Sequence, residues 1–178
     1  YHGLFLSQND EVIFARYHSQ ANQLALSTQV GRNGDHGWGS DSPTQNLVND
    51  YEMANGELPY LPDGSVNTAS GYDPQNPYVN RDPRFASTIV YHGYQWKKGN
   101  GATSTIYIKP GSSKEAGASN LDEYAGPGQN STGTGYYLRK YFDPTAPAGI
   151  QAGLNIILMR YADILLMYAE AKNELGQM

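Results

Sequence analysis

One short stretch gathers much of the polar chemistry of this sequence. Gly31–Ser42 (GRNGDHGWGSDS) places Arg32, Asn33, Asp35, His36 and Trp38 in a single glycine-rich run. An indole plane beside guanidinium, amide, carboxylate and imidazole groups is a combination that can grip a sugar. The plane covers the apolar face of the ring, and the polar groups bond its hydroxyl rim. Trp38 lies between Gly37 and Gly39 and has little local core to join. Two roles stay open for it, ligand contact and tucking beneath its own loop. Tyr94 and Trp96 form a second candidate pair at the end of an apolar run, where packing is the competing role. Tyr72 and Tyr78 lie in loops and rank lower as ligand contacts.

The same chain offers little to catalysis. Its histidines, His2, His18, His36 and His92, form no pair at i, i+2 or i, i+4 of the kind a zinc site favours. Gly111-Ser112-Ser113 lacks the closing glycine of a nucleophile elbow. No phosphate loop and no dinucleotide fingerprint follows a strand. Asp63-Gly64-Ser65 does not extend into a calcium loop. Carboxylate pairs are too common to nominate a glycosidase dyad without a spatial separation. The reading is therefore a non-enzyme with no metal and no cofactor. A formal net charge of −5 gives no electrostatic footprint for nucleic acid or an anionic membrane. The absence of cysteine excludes disulfides and thiolate metal sites. No run is long and apolar enough to span a bilayer.

The elements that must position these residues are short. Glu11–Ala15 (EVIFA) reads as a strand. Pro43–Met53 reads as a helix, with Ser42 as its N-cap, Leu47, Val48 and Tyr51 as its apolar side, and Asn55-Gly56 as its end. Asn80–Phe85 reads as a polar turn in which Arg81, Asp82 and Arg84 bond one another or a nearby carboxylate. Ala86–Tyr94 reads as a strand, and with Thr103–Ile108 it is expected to form a hairpin across Lys97–Gly101. Tyr136–Tyr141 reads as a short aromatic strand. The rest is loop. The composition agrees, with 20 glycines, 10 prolines, 15 tyrosines and only 16% charged residues. Lys109–Gly135 is too long to be a bare connection in a compact domain. Asp143–Gly153 is a further loop, and His18–Gln29 has no assignable pattern.

The closing segment differs from everything before it. Asn155–Met159 is an extended lead-in. Arg160–Gly176 (RYADILLMYAEAKNELG) then has clear helical periodicity, with Asp163, Glu170 and Glu174 in one narrow arc and apolar residues over most of the remainder. Asp163 suits the positive helix N-terminus, and Gly176 suits a left-handed terminator. Arg160 reads as a structural anchor. So much apolar surface without a second helix predicts that the 178 residues are a piece of something larger.

Taken in order, these stretches resemble the SusD/RagB family of nutrient-binding lipoproteins. RYADILLMYAEAKNELG resembles its signature helix. EVIFA, PTQNLVNDYEMANG (Pro43–Gly56), YDPQNPYVNRDPRF with ASTIVYHG (Tyr72–Gly93), and GYYLRKYFDP (Gly135–Pro144) resemble four other family segments. Together they cover the chain from about Glu11 to Gly176. The resemblance implies a mainly α fold, a tetratricopeptide-like α-superhelix with a loop-rich subdomain. This chain would be a single incomplete portion of it, loop-rich α+β with few short strands and one long C-terminal helix. Residues 1–153 would be the ligand-binding part, and 154–178 a strand plus scaffold helix. The resemblance further implies a non-catalytic protein on the bacterial outer surface, held by a lipid anchor outside this chain. It would pass oligosaccharides, or in some members peptides, to a SusC-like TonB-dependent transporter. The loop before the P-T-Q helix often lines the ligand site in family members, so the resemblance favours contact for Trp38. A structural or interaction module of the same complex is the rival reading, and a glycoside hydrolase ranks last.

Overall fold

The computed structural model describes residues 1–18, 29–97, 101–112, 120–124, 130–142 and 154–177. Most of His18–Gln29, the tip of the Lys97–Gly101 turn, residues 113–119 and 125–129 of Lys109–Gly135, and all of Asp143–Gly153 lie outside the described residues. Within them the architecture is loop-rich α+β. Its regular elements are β1 (Val12–Arg16), α1 (Gln45–Asp50), α2 (Pro83–Thr88), β2 (Ile89–Val90), β3 (Gln95–Lys97), β4 (Thr103–Thr105), β5 (Tyr137–Leu138), β6 (Ile156–Arg160) and α3 (Tyr161–Glu174). No helix among the described residues is long and apolar enough to cross a membrane.

Among the described residues three two-stranded antiparallel ladders organise the fold, β1 with β6, β2 with β5, and β3 with β4. The middle one matters most. Successive residues of a strand face opposite ways, so a two-residue strand can serve two cores at once. Ile89 joins Val48, Phe85 and Tyr136, with Tyr51, Tyr78 and Tyr91 packed around them. Val90 joins Trp96, Ile106, Ile108 and Tyr137, with Tyr94 and Phe142 at the edge. The consecutive pair Tyr136 and Tyr137 divides in the same way. The β2–β5 ladder is thus the wall between two small cores. This explains why Ile89, Val90 and Tyr137 are all fully buried.

The structure corrects the expected strand Ala86–Tyr94. Its first three residues are helical, because Asp82 caps α2 by accepting the Arg84 N–H at 2.7 Å and Pro83 occupies the first turn. Only Ile89–Val90 extends, and it pairs with β5 rather than with Thr103–Ile108. The hairpin exists with other arms, Gln95–Lys97 against Thr103–Thr105. The expected helix Pro43–Met53 is shorter. Thr44, not Ser42, caps α1 by accepting the Leu47 N–H, while the Ser42 hydroxyl donates to Gly39 O. The helix ends at Asp50 rather than at Asn55-Gly56. There Arg81 takes over, donating to the carbonyls of Pro77, Val48 and Tyr51, with its guanidinium 4.8 Å from the Phe85 ring centre. Gly56, at φ +84, instead closes a turn onto Met53 O.

Asp82 also accepts two bonds from the Arg84 guanidinium, and these hold its carboxyl below the usual carboxylate range. Asp82→Ala is expected to lower stability by about 1 kcal/mol, the usual value of an N-cap, read as a lower urea midpoint.

The extended lead-in to the closing helix becomes a true strand. β6 pairs with β1, Ala15 opposite Ile157 and Arg16 opposite Ile156. Its end is tied by the Arg160 N–H, which donates to the Asp163 carboxylate at 2.8 Å, and the Arg160 guanidinium lies 5.6 Å from the Phe5 ring centre. α3 ends in a Schellman arrangement. Gly176 is left-handed, its N–H donates to Asn173 O, and the Gln177 N–H donates to Lys172 O. Between these caps no residue of α3 is buried, and Leu166 is 70% exposed.

Candidate ligand-binding surface

The Gly31–Ser42 loop is closed on itself by backbone bonds. Gly39 N–H donates to Gly31 O at 3.0 Å, Ser40 N–H to Gln29 O at 2.9 Å, and Gly37 N–H to Arg32 O at 2.9 Å. The turn at its tip is a short 3-10 segment, Asn33–Asp35, ended by His36 in the left-handed region at φ 62. Two glycines are required on steric grounds. A Cβ on Gly37 would lie 2.2 Å from the backbone of Gly31. Gly39 has φ +55, and a Cβ there would lie 2.8 Å from Asn130 O. With backbone packed tightly on both sides of it, the indole of Trp38 is left 51% exposed.

The loop is braced from beneath. Arg32 is buried and ion-paired with the buried carboxylate of Asp122, and it also meets Asp35 at 2.8 Å. Asp122 further accepts the Gly34 N–H at 2.7 Å. The Arg32 guanidinium lies 5.1 Å from the Trp96 ring centre, and that of Arg139 lies at 4.7 Å. The Tyr137 hydroxyl, pushed up to about 12 by burial, stays protonated and donates to Asp122 O at 3.2 Å.

The structure therefore divides the expected site residues. Trp38 and His36 are exposed on the loop, and Asn33 is partly so. Arg32 and Asp35 turn inward to form the brace. Trp96 is 2% exposed and belongs to the core. Its ring is taken up by packing, the competing role named for it. Tyr94 packs beside it and donates its hydroxyl to Ala86 O at 2.9 Å. Arg81, Asp82 and Arg84 play the structural part expected of them.

A second feature is assembled from several separate segments of the chain. A cleft of about 210 Å³ is lined by Gln45, Tyr78, His92, Lys109, Tyr124 and Tyr136, among others. Tyr136 donates to Gln45 Oε1 at 2.7 Å. Tyr78 stacks on Tyr91 with ring centres 4.2 Å apart, and burial raises its hydroxyl well above the ordinary tyrosine range. His92 Nδ1 accepts the N–H groups of Ile108 at 3.1 Å and Lys109 at 3.2 Å. The ring proton must then sit on Nε2. These side chains come from separate segments, so no local spacing could have marked them.

Burial, and then the nearby Lys109 charge, lower the His92 pKa from its ordinary 6.5. The folded state thus favours neutral imidazole, while the unfolded chain begins to bind the proton near 6.5. Its contribution to stability is present above that pH and is lost as pH falls through the lower, folded value. The urea midpoint is expected to fall as pH drops below about 6.5. His92→Asn keeps an acceptor for the two N–H groups without titrating, so it should flatten that part of the profile.

The SusD family model matches residues 10–178. The chain belongs to the SusD family. Among solved structures it resembles a SusD-like carbohydrate binding protein of Bacteroides fragilis NCTC 9343, with TM-score 0.71 and 26% identity. That match covers 95% of this chain and 30% of the other. A second SusD-like protein of the same organism matches with TM-score 0.64 and 28% identity, over 96% of this chain and 34% of the other. The chain thus spans about a third of the length of these relatives. No curated protein matches the sequence.

Proposed function

We propose that this SusD-family chain is the loop-rich part of a non-catalytic cell-surface protein that binds oligosaccharides and passes them to a SusC-like TonB-dependent transporter. The observation that carries the reading is Trp38, a half-exposed indole on a self-closed loop braced by a buried ion pair. A rigid aromatic plane suits sugar faces because little conformational entropy is lost on contact. His36 and Asn33 stand beside it in sequence and supply polar groups for a hydroxyl rim. Arg32 and Asp35 serve the site by holding its loop.

In this reading residues 1–153 carry the ligand, and 154–178 are a strand plus a helix that joins an α-superhelical scaffold. The open apolar surface of α3 supports that part. A lipid anchor outside this chain would hold the protein at the outer membrane. Calorimetric titration against a panel of oligosaccharides and peptides, with product analysis of the same mixtures, tests the proposal. Saturable binding of at least one glycan without hydrolysis is the expected result. Binding of peptides alone, or release of shorter sugars, would overturn it.

A further inference from the structure

We infer that the cleft between Tyr78, Tyr136, His92 and Lys109 is a subsite for a uronic acid residue, so that the glycans this protein selects carry carboxylates. The inference rests on the glycan reading above and adds the chemical class of the sugar. The cleft, about 210 Å³, lies below the roughly 300 Å³ at which drug-sized pockets begin, so it suits one ring rather than a chain. Its walls combine tyrosine planes with donors. The Nε2–H of His92 is the ring's only donor, because Nδ1 is occupied by two backbone N–H groups. Lys109 brings the one full positive charge among the described lining residues, and that lining includes no Asp or Glu. The carboxylate adjoining it in sequence, Glu123, accepts the Gly111 N–H at 2.6 Å. A donor-rich cleft without a carboxylate stands out on a chain of net charge −5. One ammonium matches one monoanion, and a carboxylate has two oxygens for the two donors.

The test is calorimetry with α-1,4-linked trigalacturonate and a glucuronate-containing trisaccharide, each against its methyl ester. The ester keeps the carbon skeleton and removes the charge. At least one acid form is expected to bind about tenfold tighter than its ester, the usual value of a charged hydrogen bond. The preference should shrink in about 1 M salt, where the screening length is about 3 Å. Lys109→Gln, at an exposed position, should bring the affinity for the acid down to that for the ester. Equal affinity for acid and ester, or a preference that survives Lys109→Gln, would overturn the inference. Neutral glycans bound while every acidic probe fails would overturn it too, and leave the glycan reading standing. Failure of every glycan would overturn both.

Discussion

Replacing Trp38 by alanine is expected to weaken oligosaccharide binding roughly thirtyfold, the effect of losing about 2 kcal/mol at an aromatic anchor. The same change should leave stability within about 0.5 kcal/mol of the parent, because the indole is already half exposed. The separation of the two effects is what gives the experiment its force. A residue that tucked under its loop would lose stability when truncated. A residue that meets ligand loses affinity. Trp38→Phe keeps a smaller plane and should recover part of the loss. Calorimetry for binding and urea unfolding for stability read the two quantities independently.

The largest effect on stability is expected from Arg32→Met. The substitution keeps a long apolar stem against Trp96 and removes the charge. Asp122 then remains buried with the Gly34 N–H but without its cation. Breaking a buried ion pair from one side costs about 3–5 kcal/mol, since the remaining charge is uncompensated. Adding Asp122→Asn removes that charge, and the double variant should regain a good part of the loss. Urea unfolding of both single variants and the double closes the cycle. Glycan affinity should also fall in Arg32→Met, because the brace that holds the Trp38 loop is gone. If the loop were held by its backbone bonds alone, stability would change while affinity did not.

Much of the scaffold was legible because it follows from local rules. EVIFA is apolar and extended, and it forms β1. Asp163 and Gly176 stand where helix ends need them, and they bound α3. Asp82 and Arg84 were readable as structural because a carboxylate and a guanidinium at that spacing satisfy one another, whereas Arg81 is structural through the carbonyls of Pro77, Val48 and Tyr51. The two misreadings have different causes. In Ala86–Tyr94 the β-branched residues of β2 outweighed Asp82-Pro83, a helix start placed just before the apolar run. In Pro43–Met53 the helix is stopped by Arg81, some thirty positions downstream, which no local signal announces.

The site was legible only in its outer half. Trp38 between two glycines marks an exposed plane; the close approach to Gly31 explains Gly37, and the positive φ and the nearness of Asn130 O explain Gly39. The brace was not legible. Asp122 lies in a long Gly/Ser/Asn stretch without periodicity, 90 residues from Arg32. Trp96 and Tyr94 were readable as a pair with two roles, ligand contact or packing, and packing is the one a strand end favours. Trp96 is covered by Arg32, Arg139 and Phe142, which arrive from elsewhere in the chain, and Tyr94 packs between Tyr91 and Trp96. The tyrosine-lined cleft depends wholly on tertiary contacts.

The central claim is that the Trp38 loop meets the ligand. The most direct measurement is a crystal structure of the protein with an oligosaccharide that binds in the panel. The account predicts a sugar ring lying over the Trp38 indole, with carbon atoms at about 3.5–4.0 Å and hydroxyls bonded by neighbouring polar groups of the loop. A glycan seated elsewhere, for instance along the open face of α3, with the Trp38 indole still facing solvent, would contradict it.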